Sequence, residues 1–256
     1  MFYDAIKTHY KILPRNSIKV IEVPPPLSNN ELFVKNATII DTIWNDSQKT
    51  KKLFNGIFLN YYKIEHQLEK VIVFGFFLEY KNLLAQRVQP DLGLGIQPIG
   101  VSGIILFHDA DGKQAVFAKR SNDVLDYPGF FELAPSGSID KEYVNNDGTI
   151  DYKFKLLSEF EEEIGLDKKC VIDIAEVAFI LDVDHNLYDI GCIINITANK
   201  TQLITAFLNS SEYTSLTFIA IDKLAEFVST HQNSIVPTSK ALVEAFHLRY
   251  ATNYSR

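Results

Sequence analysis

The stretch LLSEFEEEIGL, from Leu156 to Leu166, decides how the rest of this chain is interpreted. Apolar residues recur at positions 150, 154, 157, 160 and 164, which is the 3.6-residue period of an amphipathic helix. Gly165 follows the last of them and is typical of a helix C-terminus. The pattern therefore predicts a helix over Ile150–Ile164 whose apolar side packs against a sheet.

Three glutamates of this helix, Glu159, Glu162 and Glu163, are spaced i, i+3 and i+4, so at 100° per residue they fall on one face. Glu161 points away from them. Like charges at this spacing repel each other by roughly 0.2–0.5 kcal/mol per pair, and only solvent or a cation relieves them. Mg²⁺ takes oxygen ligands, commonly carboxylates together with substrate phosphate. The run is therefore either a solvated acidic helix face, which is the commoner case, or a divalent-metal site.

Length and charge limit the class of protein. The chain has 256 residues, 46% of them hydrophobic and 22% charged, which fits one large globular domain or two small ones. Its net charge is −7 and no dense Lys/Arg cluster is present, so we expect no nucleic-acid partner. A small anionic substrate is compatible with this charge, because a bound divalent metal reverses the local sign of an acidic site.

The N-terminal residues, the apolar runs and the cysteines favour a cytoplasmic protein without a membrane partner. Residues 1–17 carry charged and polar residues throughout and show no secretory signal. The longest apolar run, Val71–Leu78, is far shorter than a membrane span. Cys170 and Cys192 fit no zinc motif and form no disulfide framework, so we interpret them as small buried hydrophobic residues.

Turn-forming residues divide the chain into two predicted domains. Strands are predicted over Gly56–Tyr62 and Lys70–Tyr80, which are aromatic and β-branched. The connector DLGLGIQPIG, Asp91–Gly100, carries three glycines and a proline. We therefore expect a smaller β-rich N-terminal extension over residues 1–95 and a second domain over residues 96–256.

The second domain mixes helices with short strands. Besides the acidic helix, a helix is predicted over Ser239–Tyr250. The predicted strands are Gly100–His108, Gln114–Arg120, Val171–Leu181, Ile190–Thr197 and Ser215–Ile221. This order predicts an α+β or α/β sandwich with a mixed sheet rather than a doubly wound sheet.

The acidic helix and the segment before it resemble the Nudix hydrolase motif. In words, that motif is Gly, five residues, Glu, seven residues, Arg-Glu, an apolar residue, any residue, Glu-Glu, any residue, Gly and an aliphatic residue. Ser158–Leu166 matches the second half at every fixed position except the arginine, which is Ser158. Phe131–Asp140 (FELAPSGSID) resembles the strand and loop that open the motif, with Gly137 as its glycine. The resemblance implies an α/β/α Nudix sandwich.

The chain departs from that motif in two ways. About seven extra residues separate Gly137 from Ser158, and we expect them within the polar, turn-like segment Lys141–Gly148. The mid-loop glutamate consequently has no clear counterpart, since counting back from the helix reaches Ile150. The missing arginine, which pairs with a motif glutamate in the family, leaves the orientation of Glu159 or its neighbours unassigned.

The resemblance implies the roles of these residues. Glu162 and Glu163 would ligate Mg²⁺, or Mn²⁺ in its place, and Glu159 would be a further ligand or the base that activates water. All three would be catalytic. The backbone carbonyl of Gly137, or of the neighbouring Ser136, would complete part of the metal shell. The implied reaction is hydrolysis of the diphosphate in a nucleoside diphosphate linked to another group.

Three residues outside the motif are further candidates. Glu212 lies in the stretch SEYTSLTFIAID, which resembles the late segment that supplies a further metal-binding carboxylate in the family; the alternative is an exposed loop glutamate. Arg120, at the end of a predicted strand, and Arg87, before the connector, are candidates for binding a phosphate of the substrate. The alternative for each arginine is an ordinary surface position.

A second polar cluster lies in the stretch DVDHNLYD. Asp182, Asp184, His185 and Asp189 have a spacing compatible with a metal site, but a solvated hairpin turn is the favoured interpretation. Trp44 and the tyrosines at positions 127, 188 and 213 are candidates for stacking on a base or for the core.

Short segments of the first hundred residues resemble the N-terminal extension of the Nudix proteins that cleave UDP-glucose and UDP-galactose. These are FNG at Phe54–Gly56, FGFFLEYKNLLAQ at Phe74–Gln86 and the glycine-rich lead into IGVSGII at Ile99–Ile105. Those proteins also carry Arg-Ser after the second Nudix strand, as Arg120-Ser121 does here. The resemblance implies UMP and a sugar 1-phosphate as products, and an extension that binds substrate or dimerises the chain into a homodimer. The alternatives are an ADP-ribose-type diphosphatase and a non-catalytic module that binds a nucleotide.

Overall fold

The computed structural model describes residues 10–14, 17–67, 70–124, 126–207 and 212–253, and the side chains of these up to residue 249 with the exception of residue 14. Its strands are β1 (Tyr10–Pro14), β2 (Ile18–Glu22), β3 (Ile57–His66), β4 (Val71–Glu79), β5 (Ile99–Asp109), β6 (Gly112–Arg120), β7 (Phe131–Glu132), β8 (Ser136–Ser138), β9 (Val171–Asp182), β10 (Leu187–Ile196) and β11 (Tyr213–Ala220). Its α-helices are α1 (Leu27–Gln48), α2 (Tyr80–Val88), α3 (Tyr152–Glu159), α4 (Lys200–Phe207), α5 (Leu224–Thr230) and α6 (Pro237–Asn253).

A large mixed sheet forms the centre of the molecule. Its strands follow the order β1-β9-β10-β5-β6-β11, with β7 paired to β6 and β8 paired to β5. Strands β10 and β5 run parallel, and the other neighbours in this sheet are antiparallel. The predicted strands of the second domain are therefore confirmed, and each begins or ends within a few residues of its predicted bounds.

Helices cover both faces of this sheet. On one face α3 approaches β5 so closely that a β-carbon at Gly103 would lie 3.5 Å from the Leu156 side chain. On the other face α6 lies over β10, where a β-carbon at Gly191 would lie 2.5 Å from the Leu242 side chain. Each face has its own cluster of buried apolar side chains. The predicted α+β sandwich with a mixed sheet is confirmed.

The N-terminal extension contains a second, three-stranded sheet in the order β2-β4-β3, flanked by α1 and α2. Strands β3 and β4 were predicted, but α1 was not, because its segment is rich in β-branched residues and its pattern is mixed. Only Ile40 is fully buried along the whole helix, and Trp44 packs edge-on against Tyr80 of α2. Tertiary packing against α2 thus overrides a weak local preference.

Two features connect the extension to the rest of the chain. The predicted connector is observed as a short 3₁₀ turn, Pro90–Leu92, followed by Gly93 and Gly95 with positive φ angles of 58° and 66°. The extra loop of the motif also reaches the extension, since the Glu22 amide donates to the Gly148 carbonyl at 2.8 Å. Most of this loop is exposed, as expected of a tolerated insertion, and its last residue hydrogen-bonds to β2.

None of the helices in the described part of the chain is both long and apolar enough to cross a lipid bilayer.

Candidate active site

A cleft of about 360 Å³ opens where the ends of the large sheet meet α3 and the loop before β11. Its lining is dominated by acidic groups, although the segments that supply them are far apart in the chain. The buried or half-buried carboxylates that line it are Glu132, Glu159, Glu163, Asp182, Asp189 and Glu212. We call this cleft the acidic cavity.

The acidic helix does not continue as a regular α-helix. After α3, residues Phe160–Ile164 form a π-helical turn that ends at Gly165, whose φ is 80°. This wider turn breaks the 100° spacing on which the shared face depended, and single π-helical turns are frequent at functional sites. Glu159 and Glu163 line the acidic cavity, whereas Glu162 is exposed and is absent from its lining. The structure thus brings together two of the three glutamates that were expected on one face.

Gly137, on strand β8, lies directly against Glu159. A β-carbon at this glycine would be only 2.2 Å from Glu159 Oε1, so every larger residue would displace the carboxylate. The neighbouring Ser136 amide donates a hydrogen bond to Glu163 Oε2 at 3.1 Å. Strand β8 therefore supports both inward-facing glutamates with its backbone, and the glycine is required by close approach rather than by its φ angle.

Lys155 is a site residue that the sequence interpretation missed. Its ammonium nitrogen lies 2.6 Å from Glu159 Oε1 and 3.2 Å from Asp140 Oδ2, and its side chain is only 12% exposed. The i, i+4 spacing of Lys155 and Glu159 on a helix is a local signal that was available in the sequence. Lys155 is the cation beside Glu159 in a helix where the motif arginine is replaced by Ser158.

The inward-facing glutamates repel one another. Burial raises the pKa of the Glu163 carboxyl well above its usual value, and the negative charges of Glu212 and Glu159 raise it further. Burial likewise raises the pKa of Glu159 and of Glu212, although Lys155 and Arg120 respectively oppose the shift. A site that holds several carboxylates against their charge is complementary to a cation.

The donors of this site fit a hard divalent cation in chemistry and charge. Carboxylate and backbone carbonyl oxygens are the ligands that Mg²⁺ prefers, and the carbonyl of Gly137 belongs to the same strand that contacts Glu159 and Glu163. Within the described ranges, however, no group of three or more His, Cys, Asp or Glu side chains is placed to hold a metal ion as it stands. Binding a metal here would therefore require the carboxylates to turn from their present partners.

Arg120, expected to bind a phosphate of the substrate, is already engaged by the protein. Its guanidinium forms an ion pair with Glu132, lies 3.1 Å from Glu212 and donates to the backbone carbonyl of Asp126 at 3.0 Å. The side chain is 11% exposed. The guanidinium is therefore partly buried and paired with two carboxylates of the acidic cavity, Glu132 and Glu212.

Glu132 was not among the predicted site residues. Besides Arg120, its carboxylate accepts hydrogen bonds from the Tyr213 hydroxyl at 3.0 Å and the Ser136 hydroxyl at 3.2 Å. The available signal was its position in FELAPSG, the segment that ends at the motif glycine, Gly137. Glu212, by contrast, was predicted, and the structure places it in the lining of the acidic cavity.

A second cavity, of about 430 Å³, adjoins the first and is built largely by the N-terminal extension. Its lining is mostly apolar and includes Phe58, Leu83 and Phe54, whose side chain is 87% exposed. Arg87 borders both cavities and forms an ion pair with Asp126 at 3.2 Å, with its own side chain 34% exposed. The two cavities form one cleft between the extension and the large sheet, and Arg87 lies at their junction.

The polar cluster between β9 and β10 is only partly a solvated turn. Asp184 and His185 are exposed, but Asp182 and Asp189 are buried and line the acidic cavity. Asp182 accepts hydrogen bonds from the backbone amides of Asp184 and His185 at 3.1 and 3.2 Å, which fixes the turn. Asp189 lies on β10 rather than in this turn, and its carboxyl is hydrogen-bonded by the Ser102 side chain and the Ile190 amide.

No family model and no curated protein matches this sequence. Among solved structures, the Nudix domain of NrtR from Shewanella oneidensis, bound to ADP-ribose, is 13% identical with a TM-score of 0.45; the match covers 60% of this chain and 88% of that one. The Nudix hydrolase RenU from M. smegmatis is 13% identical with a TM-score of 0.44, covering 60% and 85%. An Ap4A hydrolase from C. elegans is 10% identical with a TM-score of 0.40, covering 60% and 98%.

Proposed function

We propose that this protein is a Mg²⁺-dependent hydrolase of the Nudix type, which cleaves the diphosphate of a nucleoside diphosphate linked to another group. One observation carries the proposal: Glu159 and Glu163, from the matched half of the motif, line one acidic cavity with Gly137, from its other half, and Glu159 lies against that glycine. Such a convergence is needed for metal binding and is not needed for a solvated helix face.

The residues divide into metal ligands and groups that orient them. The proposed ligands are Glu162, Glu163, Glu212 and the carbonyl of Gly137. Although Glu162 is exposed, it lies near enough to Glu159 to raise the pKa of the Glu159 carboxyl. When bound, Mg²⁺ neutralises charge on the diphosphate and lowers the pKa of a water molecule.

Glu159 is the proposed acceptor of the proton that the attacking water loses, because it is held in one orientation between Lys155 and Gly137. Lys155 lowers the pKa of Glu159, against the effect of burial, and so favours the ionised form that a base requires. Arg120 acts on the site through Glu132 and Glu212, which makes it a positioning residue.

The N-terminal extension is the proposed binding site for the part of the substrate beyond the diphosphate. Its apolar cavity continues from the acidic one, and Phe54 offers an exposed aromatic ring at that end. Arg87, at the junction, is the proposed contact to a phosphate. The proposed domain boundary near residue 95 would place the two halves of the substrate site in different domains.

The proposed substrate is a UDP-sugar, hydrolysed to UMP and a sugar 1-phosphate, with an ADP-ribose-type compound as the second choice. Support for the first comes from the segments Phe54–Gly56 and Phe74–Gln86, which resemble the extension of UDP-sugar-cleaving Nudix proteins. A panel of nucleotide sugars and ADP-ribose, incubated with Mg²⁺ and analysed for released nucleoside monophosphate, decides between them.

Glu163→Gln tests the catalytic proposal with little change in shape. We expect Mg²⁺-dependent hydrolysis of at least one compound of the panel, loss of it in EDTA, and a decrease in kcat of at least about 100-fold in the variant. Glu226→Gln, an exposed position on α5, is the matched control and should retain full activity. Equal activity of wild type and Glu163→Gln would reject the assignment of the site.

A second candidate function is a non-catalytic module that binds a nucleotide. The specific observations that favour it are Ser158 in place of the motif arginine and the exposed position of Glu162. Saturable binding of one compound of the panel without turnover of any of them would establish this function and exclude the hydrolase.

A further inference from the structure

Among the described residues, each basic side chain that lines the acidic cavity is already paired within the protein. Arg120 forms ion pairs with two glutamates, and Arg87 forms one with an aspartate at 3.2 Å. The third, His185, has its Nδ1 atom 3.1 Å from Oδ2 of the buried Asp182. A diphosphate that enters this cavity therefore needs further hydrogen-bond donors, unless it displaces these carboxylates.

The N-terminus of α6 supplies donors of this kind. The helix begins at Pro237, and Val236 and Thr238, on either side of that residue, line the acidic cavity. The first amides of a helix have no partner within the helix, and the helix dipole places a partial positive charge at this end. The backbone amide of Thr238 has no acceptor among the described residues. This end of α6 thus has the polarity that an anion requires.

The Thr238 side chain is a second, independent indication of a ligand. The residue is 7% exposed, and its hydroxyl has no hydrogen-bond partner in the described part of the chain. Buried polar groups without a partner are rare in folded proteins. The fully enclosed side-chain atoms that lack a partner within the described ranges do not include Thr238 Oγ1. This unpartnered oxygen therefore keeps some accessible surface, and a ligand in the cavity can reach it.

Hydrogen bonds fix the start of α6 beside the acidic groups of the cavity. The Oγ atom of Ser239 accepts a hydrogen bond from the Leu133 amide at 2.9 Å. The Val236 amide donates to the Phe131 carbonyl at 3.0 Å. These two partners flank Glu132, whose carboxylate lines the same cavity. A group bound at the α6 turn is thus close to the backbone that carries one of the site carboxylates.

We propose that the first turn of α6 is a phosphate subsite, where the Thr238 hydroxyl donates a hydrogen bond to an oxygen of the substrate diphosphate and the helix N-terminus stabilises its charge; this rests on the proposed function. Helix N-termini are ready-made sites for phosphate groups. A phosphate oxygen supplies the acceptor that the Thr238 hydroxyl lacks within the protein. The two parts of the cavity then have complementary roles, since the carboxylates attract a cation and the α6 turn attracts the anion.

Thr238→Val tests the subsite, because valine has the shape of threonine without its hydroxyl, whereas Thr238→Ser keeps the hydroxyl. Thr205→Val, at an exposed position of α4 outside both cavities, is the matched control. The ligands, measured with Mg²⁺ present, are UDP-glucose, pyrophosphate, UMP and glucose 1-phosphate. Uridine and glucose, which carry no phosphate, are measured beside them. Affinity is the KM where the compound is hydrolysed and the calorimetric Kd where it is bound only.

We expect Thr238→Val to weaken the binding of pyrophosphate, and of UMP or glucose 1-phosphate, by about tenfold. The product that responds identifies which phosphate of the substrate occupies the turn. The affinities for uridine and glucose should change by less than about twofold. Thr238→Ser and Thr205→Val should behave as the wild type. The melting temperature of Thr238→Val should equal or exceed that of the wild type, because an unpartnered buried hydroxyl is removed.

Equal affinities of Thr238→Val and the wild type for pyrophosphate and for both phosphate-bearing products would overturn the inference, even where hydrolysis is established. A melting temperature lowered by several degrees, with the same loss of affinity for uridine as for UMP, would show that the residue is structural. If the wild type hydrolyses no nucleotide but binds pyrophosphate through Thr238, the anion subsite is supported and the proposed function alone fails. If it binds neither nucleotides nor pyrophosphate, both fail.

Discussion

The ammonium nitrogen of Lys155 lies 2.6 Å from Oε1 of Glu159, one helical turn away, and this oxygen is the atom that would meet a β-carbon at Gly137. The carboxylate is thus held between a cation on one side and a strand without a side chain on the other. The pair couples the acidic helix to strand β8 and defines the orientation of the proposed base.

Lys155→Met tests this orientation. Because the lysine lowers the pKa of Glu159 and fixes its side chain, its loss should lower kcat by about 10–100-fold, the usual effect of removing a group that orients a metal ligand or base. The KM should change less than kcat. The acid limb of the kcat profile should move to higher pH, since burial then raises the pKa of Glu159 with less opposition.

The control for Lys155→Met is Lys169→Met, whose side chain is 89% exposed. Lys155→Arg should retain more activity than Lys155→Met because it keeps a cation beside Glu159. An unchanged pH profile in Lys155→Met would show that the ion pair does not act on the titrating group.

Gly137→Ala should displace Glu159, because the added β-carbon would lie 2.2 Å from Oε1 in the present structure. We expect a loss of roughly 1–3 kcal/mol in the free energy of unfolding, as for other overpacked positions, together with loss of hydrolysis. Urea unfolding and the rate of product release measure the two effects. In the double variant Gly137→Ala/Glu159→Ala the stability should largely return while activity does not; a stability deficit that persists there would contradict the steric explanation.

Asp189 should make the stability of the protein depend on pH. Burial raises the pKa of its carboxyl from 3.8 to about 7, although the hydrogen bond from the Ser102 side chain opposes the shift; the charge of Glu132 adds a smaller increase. Since the folded pKa lies above the unfolded one, the folded state holds the proton more tightly. Its contribution to stability is full below about pH 3.8 and is lost as the pH rises through about 7.

Asp189→Asn removes this titration. The free energy of unfolding of the variant, relative to that of the wild type, should therefore be roughly 2.5 kcal/mol higher at pH 8 than at pH 5. Urea unfolding at both pH values, with Asp111→Asn in the exposed turn between β5 and β6 as the control, measures the difference. Parallel stability profiles of Asp189→Asn and the wild type would show that the Asp189 carboxyl is solvated or paired in solution.

Mg²⁺ should raise the melting temperature of the protein, because a bound cation relieves the repulsion that raises the pKa of Glu163. A Mg²⁺ concentration of about 100 times its Kd should raise the free energy of unfolding by about 2.7 kcal/mol. The shift should vanish in Glu163→Gln and be absent when KCl of equal ionic strength replaces the magnesium salt. An equal shift in wild type and Glu163→Gln would place the bound ion elsewhere.

Local patterns in the sequence predicted most of the described strands, but of the described helices only α3 and α6. Alternation and turn residues predicted strands such as β5 and β6, and the 3.6-residue period predicted the helix that contains α3. The side of the helix that is buried was predicted less well, since Phe154, at one of the periodic apolar positions, is 49% exposed. Helix α1 was not predicted, because its stability comes from packing against α2 rather than from the pattern of its own sequence.

By itself the sequence determined that Glu159, Glu162 and Glu163 lie within one helical segment that ends at Gly165, because their spacing is a local property. Gly137 was related to them only through a family resemblance, since the extra loop changes its distance along the chain. Only the tertiary structure decided that the extra loop pairs with β2, that Arg120 binds Glu132 and Glu212, and that the Asp189 carboxyl is buried. These relations join residues distant in the chain, and their energies depend on burial and charge, which no single segment contains. The π-helical turn over Phe160–Ile164 is an intermediate case, because its sequence fits a regular helix and only the packed structure separates Glu162 from Glu163.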